Sequence, residues 1–133
     1  MNYVTLLKTK NLKATPQRLT IVEELYTHGH LNIDQLYSAL VEKFPSISLA
    51  TIYKNINAMS DIFFISEVKI PHKKSVYELT KESHAHLVCS ECSSVEDIIL
   101  HSSHLLEEIE KSSSFKVITQ NILLEGVCKE CQT

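Results

Sequence analysis

The 133-residue chain is 44% apolar and 22% charged with a formal net charge of −3, a balance typical of a globular protein with room for one domain or two small ones. No run of eighteen apolar residues occurs, which excludes a membrane-spanning helix, and residues 1–8 place a lysine after a short apolar run, unlike a secretory signal. A cytoplasmic location is expected, where paired cysteines hold metal more often than they form disulfides.

The charge is unevenly spread. Residues 1–83 carry ten Lys/Arg against eight Asp/Glu, and residues 84–133 carry three against eight. A front half of +2 and a back half of −5 predict two modules with different partners.

Helical signals dominate the front half. Residues 3–10 predict a short helix. Thr15 followed by Pro16 is an N-cap with proline at the first helical position, and it opens an amphipathic run to about Tyr26 with Leu19, Val22 and Leu25 on one face. Gly29 breaks that run. Asn32 caps a second helix, in which Ile33, Leu36, Tyr37, Leu40, Val41 and Phe44 recur at helical spacing until Pro45. Ser48 caps a third, from Leu49 to about Met59. Residues 65–70 and 76–79 then predict two strands joined by the basic tip Pro71-His72-Lys73-Lys74. Three helices and a hairpin make a winged helix-turn-helix over residues 1–80.

Residues 81–83 are polar and form the expected hinge. Beyond it, residues 84–133 predict two strands (87–89 and 95–100), a helix (about 102–111) and a last strand (115–124). So small a β-β-α-β unit buries little core and needs a metal or a partner subunit. The expected class is therefore α+β, with an N-terminal DNA-binding domain and a small α/β dimerisation domain.

In a helix-turn-helix the recognition helix meets the major groove with its early exposed residues. Here that helix is residues 48–59, with Leu49, Ile52, Ile56 and Met59 expected to face the core. Ser48 at its start, then Thr51, Tyr53, Lys54 and Asn55, are the candidate DNA contacts, and Asn55 has the groups to pair bidentately with adenine. Lys13, Arg18, Lys73 and Lys74 flank them as candidate backbone or minor-groove contacts. An ordinary solvated polar face is the plainer alternative.

Two ligand sets are interleaved towards the C-terminus. Cys89-x-x-Cys92 and Cys128-x-x-Cys131 use every cysteine in the chain. Two such turns make a closed tetrahedral site suited to structural Zn²⁺, with a dithiol/disulfide switch or buried inert cysteines as the alternatives. Glu78, His84, His86 and Asp97, joined by His30 from the DNA-binding half, offer three imidazoles and two carboxylates suited to Fe²⁺, Mn²⁺ or Zn²⁺. One ion held by all five would fix the angle between the modules. In a dimer that angle sets the spacing of the recognition helices, and hence DNA affinity. His101 and His104 are expected on a helix surface.

The chain resembles the ferric uptake regulator (Fur) family of metal-dependent repressors. The resemblance rests on Ala14-Thr15-Pro16-Gln17-Arg18, Ser48-Leu49-Ala50-Thr51-Ile52-Tyr53, Lys74-Ser75-Val76-Tyr77-Glu78-Leu79, the His-x-His-x-x-Cys-x-x-Cys run and the closing Cys-x-x-Cys. It implies a homodimer with an N-terminal winged helix and a C-terminal dimerisation domain. A double-stranded, A·T-rich palindromic operator is the expected partner, and the lack of a long apolar run leaves no membrane partner expected. It also implies a Cys₄ structural zinc and a regulatory site at His30, Glu78, His84, His86 and Asp97. Iron sensors of the family commonly carry a third site, whose positions here are Ser83, Ala85, His104 and Gln120, so that site looks lost. Asn55 and Asp97 are similar to the peroxide-sensing PerR branch, in which bound Fe²⁺ or Mn²⁺ occupies the regulatory site. Glu78 stands where that branch usually has aspartate and iron sensors have glutamate. Phe63 stands where the family usually has glycine.

The leading expectation is a PerR-type repressor. An iron-responsive Fur-type repressor comes next and a zinc sensor third. A metalloenzyme is the reading from a different class, and it lacks a glycine-rich loop or an independent acid/base pair.

Overall fold

The computed structural model describes residues 2–81, 84–99, 103–118 and 120–132. The chain separates into two compact units, Met1–Lys81 and Glu82–Thr133. Glu82 and Ser83, two of the three residues of the expected hinge, lie outside the described residues.

The first unit begins with three helices, α1 (Tyr3–Thr9), α2 (Pro16–His28) and α3 (Ile33–Lys43), the last two flanking a two-residue strand, β1 (Leu31–Asn32). A fourth helix, α4 (Leu49–Asp61), and a hairpin of β2 (Ile65–Val68) and β3 (Val76–Leu79) complete it. Each helix starts on a side chain that accepts an otherwise orphaned backbone N–H. Asn2, Thr15 and Ser48 cap α1, α2 and α4. Asn32 and Gln35 cap α3 reciprocally, each side chain bonding the other's backbone N–H at 2.9 Å.

Apolar spacing on these helices then builds one core. Ile21, Val22 and Leu25 from α2 meet Leu36 and Leu40 from α3 and Ile52, Ile56 and Met59 from α4, with Leu7 and Ile65 closing the ends. Leu49 departs from the expected core face, being 45% exposed. It is the first residue of α4, beyond the core's edge, and Ile47 just before the helix is buried instead.

The wing is antiparallel, with Ile65 opposite Leu79 and Val68 opposite Val76. Its first strand ends at Val68 rather than residue 70, because the chain there turns into the tip and the Lys73 N–H bonds the Ile70 carbonyl. On the other side of β3, β1 pairs Leu31 with Tyr77 and Asn32 with Val76, giving the sheet order β1-β3-β2. Periodicity cannot signal a two-residue strand, and β1 was not expected.

The second unit is a three-stranded sheet of order β5-β4-β6, from β4 (Ala85–Cys89), β5 (Val95–Ile98) and β6 (Ile122–Gly126). Helix α5 (Ser103–Ser113) connects β5 to β6, and a 3₁₀ turn follows at Lys129–Gln132. Strand β4 is central, antiparallel to β5 and parallel to β6. The last strand is displaced from the expected 115–124. A strand exists only where it has a partner, and β4 offers five residues, Ala85 to Cys89, which pair with Ile122 to Gly126. Ala85, Val88 and Cys89 are buried, while Ile98, Ile99, Leu105, Ile109, Phe115, Ile118 and Leu124 remain well exposed.

Helix α4 ends in a Schellman motif. The Phe64 N–H bonds the Met59 carbonyl and the Phe63 N–H bonds the Ser60 carbonyl, both at 2.9 Å. That motif requires a left-handed residue, usually glycine, just after the cap. Phe63 fills the position with φ 59° and is 77% exposed, so the strain recovers little burial. Phe63→Gly should raise the stability of the first unit by roughly 0.5–1 kcal/mol. Urea unfolding followed by helical circular dichroism measures this, and an unchanged or lowered midpoint would contradict it.

Candidate metal centres and nucleic-acid face

Strand β4 carries donor groups at both ends. At its C-terminal end Cys89 closes the strand, and a tight turn through Ser93 (φ 64°) returns the Ser93 N–H to the Cys89 carbonyl at 2.9 Å. Ser90 fastens this turn to β6 twice, its N–H and its hydroxyl both donating to the Gly126 carbonyl at 2.8 and 3.1 Å. Two residues beyond Gly126 lies Cys128, and the 3₁₀ turn brings Cys131 back.

The four Sγ atoms lie within 4.8 Å of one another. Cys92 Sγ and Cys128 Sγ are 3.8 Å apart, far beyond a disulfide bond of about 2.05 Å. Four sulfurs about 2.3 Å from a central Zn²⁺ would have tetrahedral edges of about 3.8 Å. The electrostatics agree with that geometry. Backbone N–H groups of Cys128 and Cys92 point at Cys89 Sγ from 3.4 and 3.5 Å and hold its thiol down to about 6. Hydrogen bonding to Cys128, then burial, pushes Cys131 up to about 12. Sulfurs this crowded cannot all ionise without a cation. The donor set fits a soft dication with no open position.

Near the other end of β4, His84 and His86 lie two residues apart in extended chain and therefore share a face. Their Nε2 atoms are 3.0 Å apart, and Asp97 Oδ1 is 3.6 Å from each. Register explains the carboxylate, since β4 and β5 pair His86 directly with Asp97. Two imidazole nitrogens about 2.1 Å from one ion, at right angles, lie about 3.0 Å apart.

A second donor pair lies within the first unit. Gly29, with φ 82°, ends α2 and delivers His30 to the start of β1. The β1–β3 register continues from Leu31↔Tyr77 to bring His30 beside Glu78, with His30 Nε2 at 2.8 Å from Glu78 Oε2. Both side chains are largely buried, at 11% and 3% exposure. The strand missing from the sequence reading is what brings this loop histidine to the carboxylate.

The candidate nucleic-acid face also belongs to the first unit. Ala50, Tyr53, Lys54 and Asn57 on α4 are exposed, as are Ser48, Lys13, Lys73 and Lys74. Thr51 is half-buried and bonds the cap, its hydroxyl 3.0 Å from that of Ser48. Lys74 forms an ion pair with Asp34. Asn55 corrects the expected picture. It is 8% exposed, and its Oδ1 accepts a 3.0 Å bond from Arg18 Nε.

A sequence profile of the ferric uptake regulator family matches residues 9–125. The chain belongs to the ferric uptake regulator family. The peroxide-responsive repressor PerR of Staphylococcus aureus is 32% identical to it over 128 residues, 95% of this chain and 86% of that protein. The Campylobacter jejuni peroxide stress regulator is 36% identical with a TM-score of 0.78, covering 98% of this chain and all of its own. The Vibrio cholerae ferric uptake regulator is 29% identical with a TM-score of 0.80, covering 96% and 100%. The chain is thus a Fur-family regulator of α+β class, and its relatives are repressors rather than enzymes.

Within this Fur-family chain, three of the four positions associated with a third metal site lie among the described residues. Ala85 is fully buried and has no donor, His104 is exposed in the first turn of α5, and Gln120 is half-buried just before β6. Ser83 and His101 lie outside the described residues. The double bond from Ser90 to Gly126 and the Arg18–Asn55 bond were missed by sequence reasoning. Neither has a local signal, because each joins residues more than thirty positions apart.

The spread of thiol acidity has a measurable consequence. Backbone N–H groups favour the Cys89 thiolate and hydrogen bonding to Cys128 favours the Cys131 thiol, so binding a dication at neutral pH should release more proton from Cys131 than from Cys89. Affinity should fall as pH falls, most steeply below about 6 where Cys89 also takes up its proton. Zinc titrations between about pH 5.5 and pH 8 in buffers of differing ionisation enthalpy measure both effects. Release of four protons at pH 7, or affinity independent of pH, would contradict this assignment.

Proposed function

We propose that this Fur-family regulator is a metal-dependent DNA-binding repressor that senses peroxide. In this reading one Fe²⁺ or Mn²⁺ is held by His30, Glu78, His84, His86 and Asp97, and one Zn²⁺ by Cys89, Cys92, Cys128 and Cys131. The observation that carries it is the paired preorganisation of donors. His30 meets Glu78 at 2.8 Å inside the first unit, and His84 meets His86 at 3.0 Å beside Asp97 inside the second. Neither pair alone makes a complete site for a divalent ion, whereas the two together supply five donors of the mixed nitrogen and oxygen type that Fe²⁺ and Mn²⁺ favour.

The residues then have distinct roles. Glu78 and Asp97 supply the charge that selects a dication, and the three imidazoles must be neutral to bind, so acidification opposes the loaded state. Because His30 and Glu78 belong to one unit and the other three to the next, ligation by all five ties the units together. Fe²⁺ held there would supply redox chemistry towards H₂O₂, which would deliver one oxygen atom to a ligand histidine and leave as water. Loss of that ligand would weaken the tie, and DNA affinity would fall with it.

The operator is proposed to be an A·T-rich palindrome read by a homodimer in the cytoplasm. Two-fold symmetry of the site follows from two recognition helices, one per subunit. The exposed Ile99, Leu105, Phe115, Ile118 and Leu124 of the second unit fit the apolar core of a dimer interface. Tyr53, Lys54 and Thr51 on α4 would face the groove, with Ser48 at its N-terminus. Lys13, Arg18, Lys73 and Lys74 would engage the backbone or minor groove. The similarity to the peroxide regulators of Staphylococcus aureus and Campylobacter jejuni favours peroxide as the signal. Glu78 favours a second reading, an iron-responsive repressor, because its extra methylene relative to aspartate shifts the carboxylate within the site.

The test is mass spectrometry of the Fe²⁺-loaded protein after H₂O₂. Addition of one oxygen to a peptide containing His30 or His84, together with loss of operator binding in gel shifts, is the expected result. No addition, with release only by chelation, would replace peroxide sensing with iron sensing. DNA binding that ignores metal would remove the switch altogether. Cys128→Ser should lose zinc and unfold or dissociate the C-terminal unit, and a native zinc-free dimer would overturn the structural role of the cysteines.

A further inference from the structure

Arg18 and Asn55 are thirty-seven residues apart in sequence and come from α2 and α4, the two helices on which the candidate DNA face is built. Asn55 is among the very few buried polar side chains of the described residues, at 8% exposure. Its side-chain oxygen accepts from Arg18 Nε at 3.0 Å. That atom must be the oxygen, because a guanidinium donates and cannot accept. Arg18 Nη1 donates in turn to the Lys13 carbonyl at 2.9 Å, and the Arg18 backbone N–H is held by the Thr15 cap at 3.3 Å. The guanidinium plane is therefore fixed from two sides, by α4 and by the segment preceding α2.

Two roles are open to Asn55, and the geometry separates them. Reading adenine requires the amide oxygen and nitrogen of an exposed asparagine to face one base edge together. Here the oxygen is engaged by Arg18 and the side chain is buried, so a base contact would break the bond to Arg18 and expose the residue. Holding Arg18 requires neither change. Among the described residues, two of the five guanidinium donors are used internally. Those that remain sit on a planar group whose orientation is already set, an arrangement suited to a phosphate oxygen.

We infer that Asn55 is a positioning residue for DNA binding: it presents the Arg18 guanidinium to the DNA backbone and does not itself read a base. This rests on the DNA-binding reading above. It assigns Asn55 a sequence-independent role, so operator choice must come from other exposed residues of α4 such as Tyr53 and Lys54.

The test uses the full-length, metal-loaded protein and a duplex selected by the wild type from a random-sequence pool. Anisotropy titrations over a range of salt concentrations, on that duplex and on single-base variants of it, give both affinity and salt slope. If the wild type binds no duplex at any metal condition, the DNA-binding reading itself has failed. If it binds, Arg18→Ala should weaken every duplex alike and reduce the salt slope by about one. Asn55→Ala and the apolar near-isostere Asn55→Leu should do the same several-fold on all duplexes. Adding either to Arg18→Ala should cause little further loss, because both substitutions remove the same contact. An unchanged slope for Arg18→Ala overturns the inference whether or not the Asn55 variants fold. So does an Asn55 variant that loses discrimination at one base pair, or whose effect adds in full to that of Arg18→Ala.

Discussion

Four sulfur atoms within 4.8 Å of one another cannot all become thiolates unless a cation sits among them, and the C-terminal sheet is organised around that constraint. The sheet has only five-residue pairing along β4 and few buried side chains. Its connections therefore converge on the cysteine turns, where Ser90 grips the Gly126 carbonyl through two bonds and Cys89 Sγ collects two backbone N–H groups. The same strand that ends at Cys89 starts one residue after His84. A cation that fixes the cysteine end thus also fixes the register that sets His86 against Asp97. His86 and Cys89 are three residue steps apart, about 10 Å of extended chain, too short a span for the two ends to move independently.

The N-terminal unit obeys a different logic. Its stability comes from an apolar core of helices with well-made caps, and it needs no ion to explain its packing. Within it, however, a buried imidazole and a buried carboxylate meet at 2.8 Å, an arrangement that contributes little to a core. In the proposed function such a pair is half of a ligand set. Two deviations from the most stable choice stand out in this unit. Phe63 occupies a left-handed position that glycine would fill without strain, and Asn55 places an amide beneath a guanidinium where an apolar residue would pack. Asn55 has an account in terms of Arg18. Nothing in the structure explains Phe63.

Much of this was legible in the sequence because its signals are local. Thr15-Pro16, Asn32 and Ser48 mark helix starts by chemistry confined to one turn, and all three are caps in the structure. The Cys-x-x-Cys pairs also act over four residues, and their convergence followed from needing four ligands. What escaped was non-local. Strand β1 has two residues and exists only because β3 lies beside it. The last strand sits where β4 can pair with it rather than where its apolar residues begin. Asn55 was assigned to the exposed face by helical periodicity, yet the bond that buries it comes from a different helix. Leu49 erred in the opposite sense, since a helix's first residue can lie beyond the core its periodicity points towards.

If, as proposed, one divalent ion takes ligands from both units, removing a ligand from either unit must weaken its binding. The direct measurement is calorimetric titration of Mn²⁺ into the zinc-loaded protein and into its His30→Ala and His86→Ala variants. One regulatory ion per chain is expected, with a loss of affinity of about tenfold or more in both variants, although the two histidines belong to separate units. A His30→Ala protein that binds Mn²⁺ as tightly as the wild type would contradict it, leaving a local site at His84, His86 and Asp97 with no hold on the DNA-binding unit.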